Sequence, residues 1–163
     1  MKRIIFYFSL LMIFLSGCER AHYFKDAEDT NLSGEQINGI KLHTSIDDPL
    51  LAKQYGDRIK KVSYQTKYNY YNLSDSLEIA TNDEGEIVRI IIRGNDAKTS
   101  KDITLNSKKD DVISKYGNNF YKRTEQGVDI IGYVDRDNNS TLEFWIDEDE
   151  RVVEIRYDDI NIQ

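Results

Sequence analysis

The sequence predicts an α+β fold made of two tandem repeats, each a helix followed by antiparallel strands, with the helices packed on one face of the sheet. Three observations carry that expectation. Two helix signatures both end in Tyr-Gly, at Tyr55-Gly56 and Tyr116-Gly117. Each is preceded by a short alternating segment, Ile40-Lys41-Leu42-His43-Thr44 or Ile103-Thr104-Leu105-Asn106-Ser107. Each is followed by a matching pair of alternating strands, so the chain reads as the same unit written twice.

Taken in order, residues 18–38 are polar, carry mixed charge and keep no apolar period, which predicts a tether with His22 as a solvated residue. Repeat 1 spans residues 39–101 with its linker. After a first short strand, Asp48 caps a helix with Pro49 at its first position, Leu50, Leu51 and Tyr55 on its apolar side and Gly56 as its stop. Repeat 2 spans residues 102–163, and there Ser107 caps, Asp110 completes a capping-box spacing, and Val112, Ile113 and Tyr116 lead to Gly117. Variable β-prone stretches follow both helices, at residues 62–71 and 120–134. The strand pairs then match closely. Leu77-Glu78-Ile79 answers Leu142-Glu143-Phe144, and Ile87-Val88-Arg89-Ile90 answers Val152-Val153-Glu154-Ile155. The polar turns between them, Asn82-Asp83-Glu84-Gly85 and Asp147-Glu148-Asp149-Glu150, suit hairpins. Polar residues 94–101 join the copies.

Residues 1–17 form an export signal: basic Lys2 and Arg3, an apolar run over residues 4–15 too short for an ordinary membrane span, then Ser16-Gly17. Leu15-Ser16-Gly17-Cys18 resembles the lipobox of bacterial lipoproteins, in which small residues admit the backbone to the peptidase and the cysteine takes a diacylglycerol. The resemblance implies cleavage before Cys18 and a membrane-anchored protein on the extracytoplasmic face, because two acyl chains on one residue hold stably. Cys18 is the sole cysteine of the chain. Its acylation leaves no thiol for a disulfide, a thiolate metal site or a nucleophile. Loss of Lys2 and Arg3 makes the net charge of −7 two units more negative, which argues against nucleic acid and against electrostatic adhesion to anionic lipid. About 145 residues remain, enough for one ordinary domain.

Copies of the form I-x-L, helix-Y-G, L-E-[IF], acidic turn, V-x-x-I resemble the tandem repeats of the β-lactamase inhibitor protein fold. They also resemble the related single-repeat lipoprotein of the outer-membrane β-barrel assembly machinery. The similarity covers residues 40–157, with Lys41 and His43 near the place where that family usually has a glycine before the helix. The resemblance implies a non-enzymatic module that offers a concave sheet face to another protein, as a binding, inhibitory or immunity module. The alternative is a structural or assembly accessory of an envelope complex, and a third reading is an envelope hydrolase or ligand-binding protein. Expected partners are therefore the membrane, through Cys18, and an envelope or secreted protein.

Catalytic chemistry has few carriers. Histidine occurs only at His22 and His43, and no nucleophile elbow, phosphate loop, zinc helix or dinucleotide turn is present. A carboxylate pair could hydrolyse a glycan, and Glu143 beside the acidic residues 147–150 is the place for it. Glu78 at the matching position of repeat 1 points instead to a repeated solvent-facing site. The run Asp135-Arg136-Asp137-Asn138-Asn139-Ser140 starts like a calcium loop, but Ser140 replaces the glycine and Ile146 the terminal glutamate, so a hairpin turn is expected. No metal or cofactor is expected. Tyr64, Tyr68 and Tyr70 recur at even spacing with Val62 and Thr66, which in a strand places them on one face, with Tyr71 on the other. Basic Arg58, Lys60, Lys61 and Lys67 surround them, whereas residues 129–159 carry eleven acidic and three basic side chains. Tyr64, Tyr68 and Tyr70 are the expected binding residues, since tyrosine buries a rigid surface and keeps a hydroxyl for bonding. The same spacing would also suit an aromatic ladder that stabilises the sheet.

Overall fold

Runs such as Ile87-Val88-Arg89-Ile90-Ile91-Ile92 are dense in β-branched residues, whose stiff side chains favour extended backbone. The computed structural model, which describes residues 19–25, 27–64 and 66–162, is accordingly dominated by strands. They are β1 (Lys60–Val62), β2 (Asn69–Asn72), β3 (Leu77–Thr81), β4 (Ile87–Ile92), β5 (Tyr121–Glu125), β6 (Val128–Asp135), β7 (Ser140–Ile146) and β8 (Val152–Asp159). All pair antiparallel in one eight-stranded sheet of order β1-β2-β3-β4-β8-β7-β6-β5. The middle seam is β4 against β8, in register from Arg89↔Asp158 to Ile92↔Ile155.

This overturns the α+β class of two helix-then-strand repeats. The helices are short: α1 (Glu19–Lys25) and α2 (Pro49–Tyr55) have 7 residues each and α3 (Lys109–Tyr116) has 8. Helices of that length do not hold on their own in water, and they serve here as plugs on a sheet rather than as a layer. The stretches expected to be variable are themselves strands, so the sheet gains β1, β2, β5 and β6. The segments beginning at Ile40 and Ile103 are turns instead of strands, with His43 at φ 63° and Asn106 at φ 65°. Their apolar residues Ile40, Leu42 and Ile103 are buried, which produces the alternation without a strand. Their backbones clasp the first residues of two strands instead. His43 N–H donates to the Ile87 carbonyl and Ile87 N–H to that of Thr44, both at 2.8 Å. Asn106 N–H donates to the Val152 carbonyl (2.8 Å) and Val152 N–H to that of Ser107 (2.9 Å).

Local signals otherwise survive with small shifts. The Asp48 carboxylate accepts from Leu50 N–H at 2.7 Å, with Pro49 opening α2. Leu50, however, is exposed, while Leu51 and Tyr55 are buried. The cap of α3 falls one residue later than expected: Lys108 N–H donates to Asp111 at 3.1 Å, and Ser107 bonds back to Thr104 N–H. The turns between β3 and β4 and between β7 and β8 form at the expected residues, with Gly85 and Glu150 in the left-handed region. The β6–β7 connection is a hairpin in which Asp135 accepts from Asn138 N–H (3.0 Å) and from Leu32 N–H (2.6 Å).

Strand alternation divides the sheet into two faces. One carries Leu77, Ile79, Ile90, Ile92, Leu142, Phe144, Ile155 and Tyr157, and packs with Leu51, Tyr55, Val112 and Tyr116 into the core. The segment expected as a tether joins that core. Leu32 and Ile37 are buried there, and Glu35 accepts from Tyr116 Oη–H at 2.7 Å and from Ser100 N–H at 2.8 Å. Desolvation first, and then the Glu35 charge, push the Tyr116 hydroxyl well above its ordinary range. The export signal and Cys18 lie outside the described residues.

Candidate functional site: the charged face of the sheet

The same alternation brings the polar strand residues to the opposite face. On β4 this is Arg89, with Ile91 beside it and Arg93 just past the strand's end, and on β8 they are Glu154, Arg156 and Asp158. Glu78 on β3 stands opposite Ile91, while Glu143 on β7 stands opposite Arg156. Trp145 faces Glu154, and Tyr70 faces Ala80. Five strands thus contribute to one continuous surface of charges and rings.

Its charges are paired across strands. Arg89 grips Asp158 with two N–H groups, each at 2.8 Å, and gives a third to Tyr70 Oη at 3.2 Å. Arg123 grips Glu143 at 2.8 and 2.7 Å, and Glu143 also accepts from Tyr121 Oη–H at 2.7 Å. Arg93 joins Glu78 (3.0 Å) to Glu154 (2.9 Å), and Arg156 donates its Nε–H to the other oxygen of Glu154. Burial alone would pull the guanidiniums of Arg89 and Arg123 down, but their carboxylate partners outweigh it and hold both above the ordinary value. Arg93 is raised in the same way, against its own desolvation, by Glu154 and then Glu78.

Glu143 and Glu78 were expected to face solvent, and here the structure differs. Glu143 is 0% exposed and Glu78 is buried, because long arginine and tyrosine side chains lie over them. Glycine makes that cover possible at Gly132: a β-carbon there would stand 2.2 Å from the Tyr121 ring, which crosses Gly132 to reach Glu143. Phe24 of α1 packs edge-on against Tyr121, with ring centroids 5.3 Å apart.

The three tyrosines do not share one strand. Residues 63–68 connect β1 to β2, and Val62 pairs with Tyr70 across the hairpin. Tyr64 and Tyr70 come together as an edge-on pair, centroids 4.9 Å apart, and Tyr64 Oη–H donates to Glu78 at 3.1 Å. That bond, followed by the Glu78 charge, pushes the Tyr64 hydroxyl up. Tyr64 is 48% exposed. Tyr68 stands apart, half-buried under the Lys67 ammonium, and Tyr71 packs on the core side as its parity requires.

Beside the tyrosine pair the face dips into an open depression of about 420 Å³, with Ile91 in its lining and Tyr64, Tyr70, Arg89, Arg93 and Arg156 around it. The Arg156 guanidinium lies over the Trp145 ring at 4.1 Å. Sequence reading missed this arginine set. The signal was the i, i+2 charge alternation Glu154-x-Arg156-x-Asp158 and Arg89-x-x-x-Arg93, hidden inside segments read for their apolar letters.

Elsewhere, His43 lies between Glu86 (2.9 Å) and Asp159 (3.6 Å). Among the described residues no group of three or more His, Cys, Asp or Glu side chains is arranged to hold a metal, and no helix is long and apolar enough to cross a membrane.

The sequence matches no family model and no curated protein. Among solved structures it is similar to an extracellular protein containing an SCP domain from Bacillus anthracis str. Ames, whose crystal structure was determined at 1.5 Å resolution. The two are 15% identical with a TM-score of 0.49 over 82% of this chain and 47% of the other, so the chain spans about half the length of that protein.

Proposed function

We propose that this chain is a lipoprotein of the extracytoplasmic membrane surface, held by lipid on Cys18, whose charged sheet face binds another protein of the envelope space. The observation that carries the binding reading is the exposed Tyr64 on Tyr70 at the rim of an arginine-lined depression. Interface centres favour tyrosine, tryptophan and arginine, and a surface whose charges are already locked in pairs needs little ordering on contact. Glu143, the candidate hydrolytic carboxylate, is instead held by Arg123 and Tyr121 below the surface, which supports a non-enzymatic role. The anchor rests on the sequence Leu15-Ser16-Gly17-Cys18.

Two measurements test this. Metabolic labelling with a fatty acid should mark the wild-type protein and not Cys18→Ala; label retained on the variant would refute the anchor. Capture from detergent extract of the native membrane on the intact protein should retain one stoichiometric partner, and Tyr64→Ala should weaken it at least tenfold. Recovery of a whole multiprotein complex would turn the reading to an assembly accessory, and no specific partner would refute it.

A further inference from the structure

Resting on the protein-binding reading above, we propose that the depression between Tyr64 and Arg156 is a carboxylate site, which takes an acidic side chain of the partner together with an apolar neighbour.

The donors come first. Among the described residues, Arg156 gives only its Nε–H to an acceptor, Glu154, and Arg93 gives its Nε–H to Glu154 and one Nη1–H to Glu78. The outer N–H groups of Arg156 and the Nη2 of Arg93 have no acceptor among the described residues. A guanidinium offers five donors in a fixed fork, matched to the two oxygens of a carboxylate. The fork is also held ready: Arg156 is stacked on Trp145 at 4.1 Å, and Arg93 is pinned by two carboxylates. Little side-chain freedom would be lost on binding.

Charge and shape select the ligand. The chain carries a net charge of −7, and the three arginines that line the depression are met by three carboxylates, Glu78, Glu154 and Asp158. An anion is therefore drawn by the unspent N–H donors of Arg156 and Arg93, not by an excess of local positive charge. Ile91 and the rings of Tyr64 and Tyr70 give the same depression an apolar side, which suits the neighbour of an acidic residue in a peptide and offers nothing to a bare inorganic anion. The site therefore fits a short acidic-apolar peptide segment.

The test follows the arginine Nε–Hε signals of the intact lipid-free protein by NMR during titration with acetyl-Leu-Glu-Leu-amide, its Gln counterpart and inorganic phosphate. The Glu peptide should shift Arg156 and Arg93 saturably, the Gln peptide at least tenfold more weakly, and phosphate more weakly than the Glu peptide. Arg156→Lys, which keeps the charge and loses the fork, should reduce the response at least tenfold while leaving the denaturation midpoint near wild type. Equal response to Glu and Gln peptides, equal affinity for phosphate, or no movement of either arginine would overturn the proposal. A partner captured equally well by wild type and Arg156→Lys, yet lost by Tyr64→Ala, would overturn this site and leave the protein-binding reading standing.

Discussion

At the scale of single residues, the charged face is governed by what it costs to bury a carboxylate. Glu143 is wholly buried and survives as an anion in that place because Arg123 and Tyr121 meet its oxygens. Removing one partner of such a pair leaves an uncompensated charge, so Arg123→Ala should destabilise the protein by about 3–5 kcal/mol, read from urea midpoints. Gly132→Ala should cost about 1–3 kcal/mol, because its β-carbon meets the Tyr121 ring. In a Tyr121→Ala background the same change should be nearly neutral, and an additive double-mutant cycle would show that the ring is not the obstacle. None of this was legible from Leu142-Glu143-Phe144 alone. Strand parity shows that Glu143 leaves the core face, but whether it then meets water depends on β5, which no local pattern aligns with it.

Punctuation, at the scale of elements, was more legible than layers. Asp48-Pro49 and Gly56 mark the start and stop of α2 at the observed residues, because capping and left-handed stops are decided within a few residues. Asp48→Ala should therefore cost about 1 kcal/mol, measurable by thermal or urea unfolding. Hairpin turns at residues 82–85 and 147–150 were legible for the same reason. The strands expected at Ile40 and Ile103 were not, since burying alternate apolar residues in a turn leaves the same letters as a strand. Tyr64 and Tyr70 meet by a related accident: even spacing was read within one strand, whereas the chain folds back and they meet across the hairpin. Tyr68, on the connection, is consequently left out of the pair.

For the molecule as a whole, the sheet is sealed on its core side by tyrosines whose hydroxyls are pushed up by burial: Tyr55, Tyr116, Tyr133 and Tyr157. A phenol with a raised folded-state pKa binds its proton more tightly when folded, so its stabilisation is complete below about pH 10 and falls as pH rises beyond that. Tyrosinate absorbance of this buried set should accordingly appear only above the ordinary tyrosine range on alkaline titration. The buried set should ionise together with loss of the circular dichroism signal. Simultaneous ionisation of all tyrosines without unfolding would contradict the packing. The charged face on the other side carries the functional claim, and photo-crosslinking in the native cells tests it most directly. With benzoylphenylalanine in place of Tyr64 on that face, or of Lys53 on the helix side, the expected result is one dominant protein adduct from position 64 and none from position 53. Adducts from position 53 alone would contradict the account.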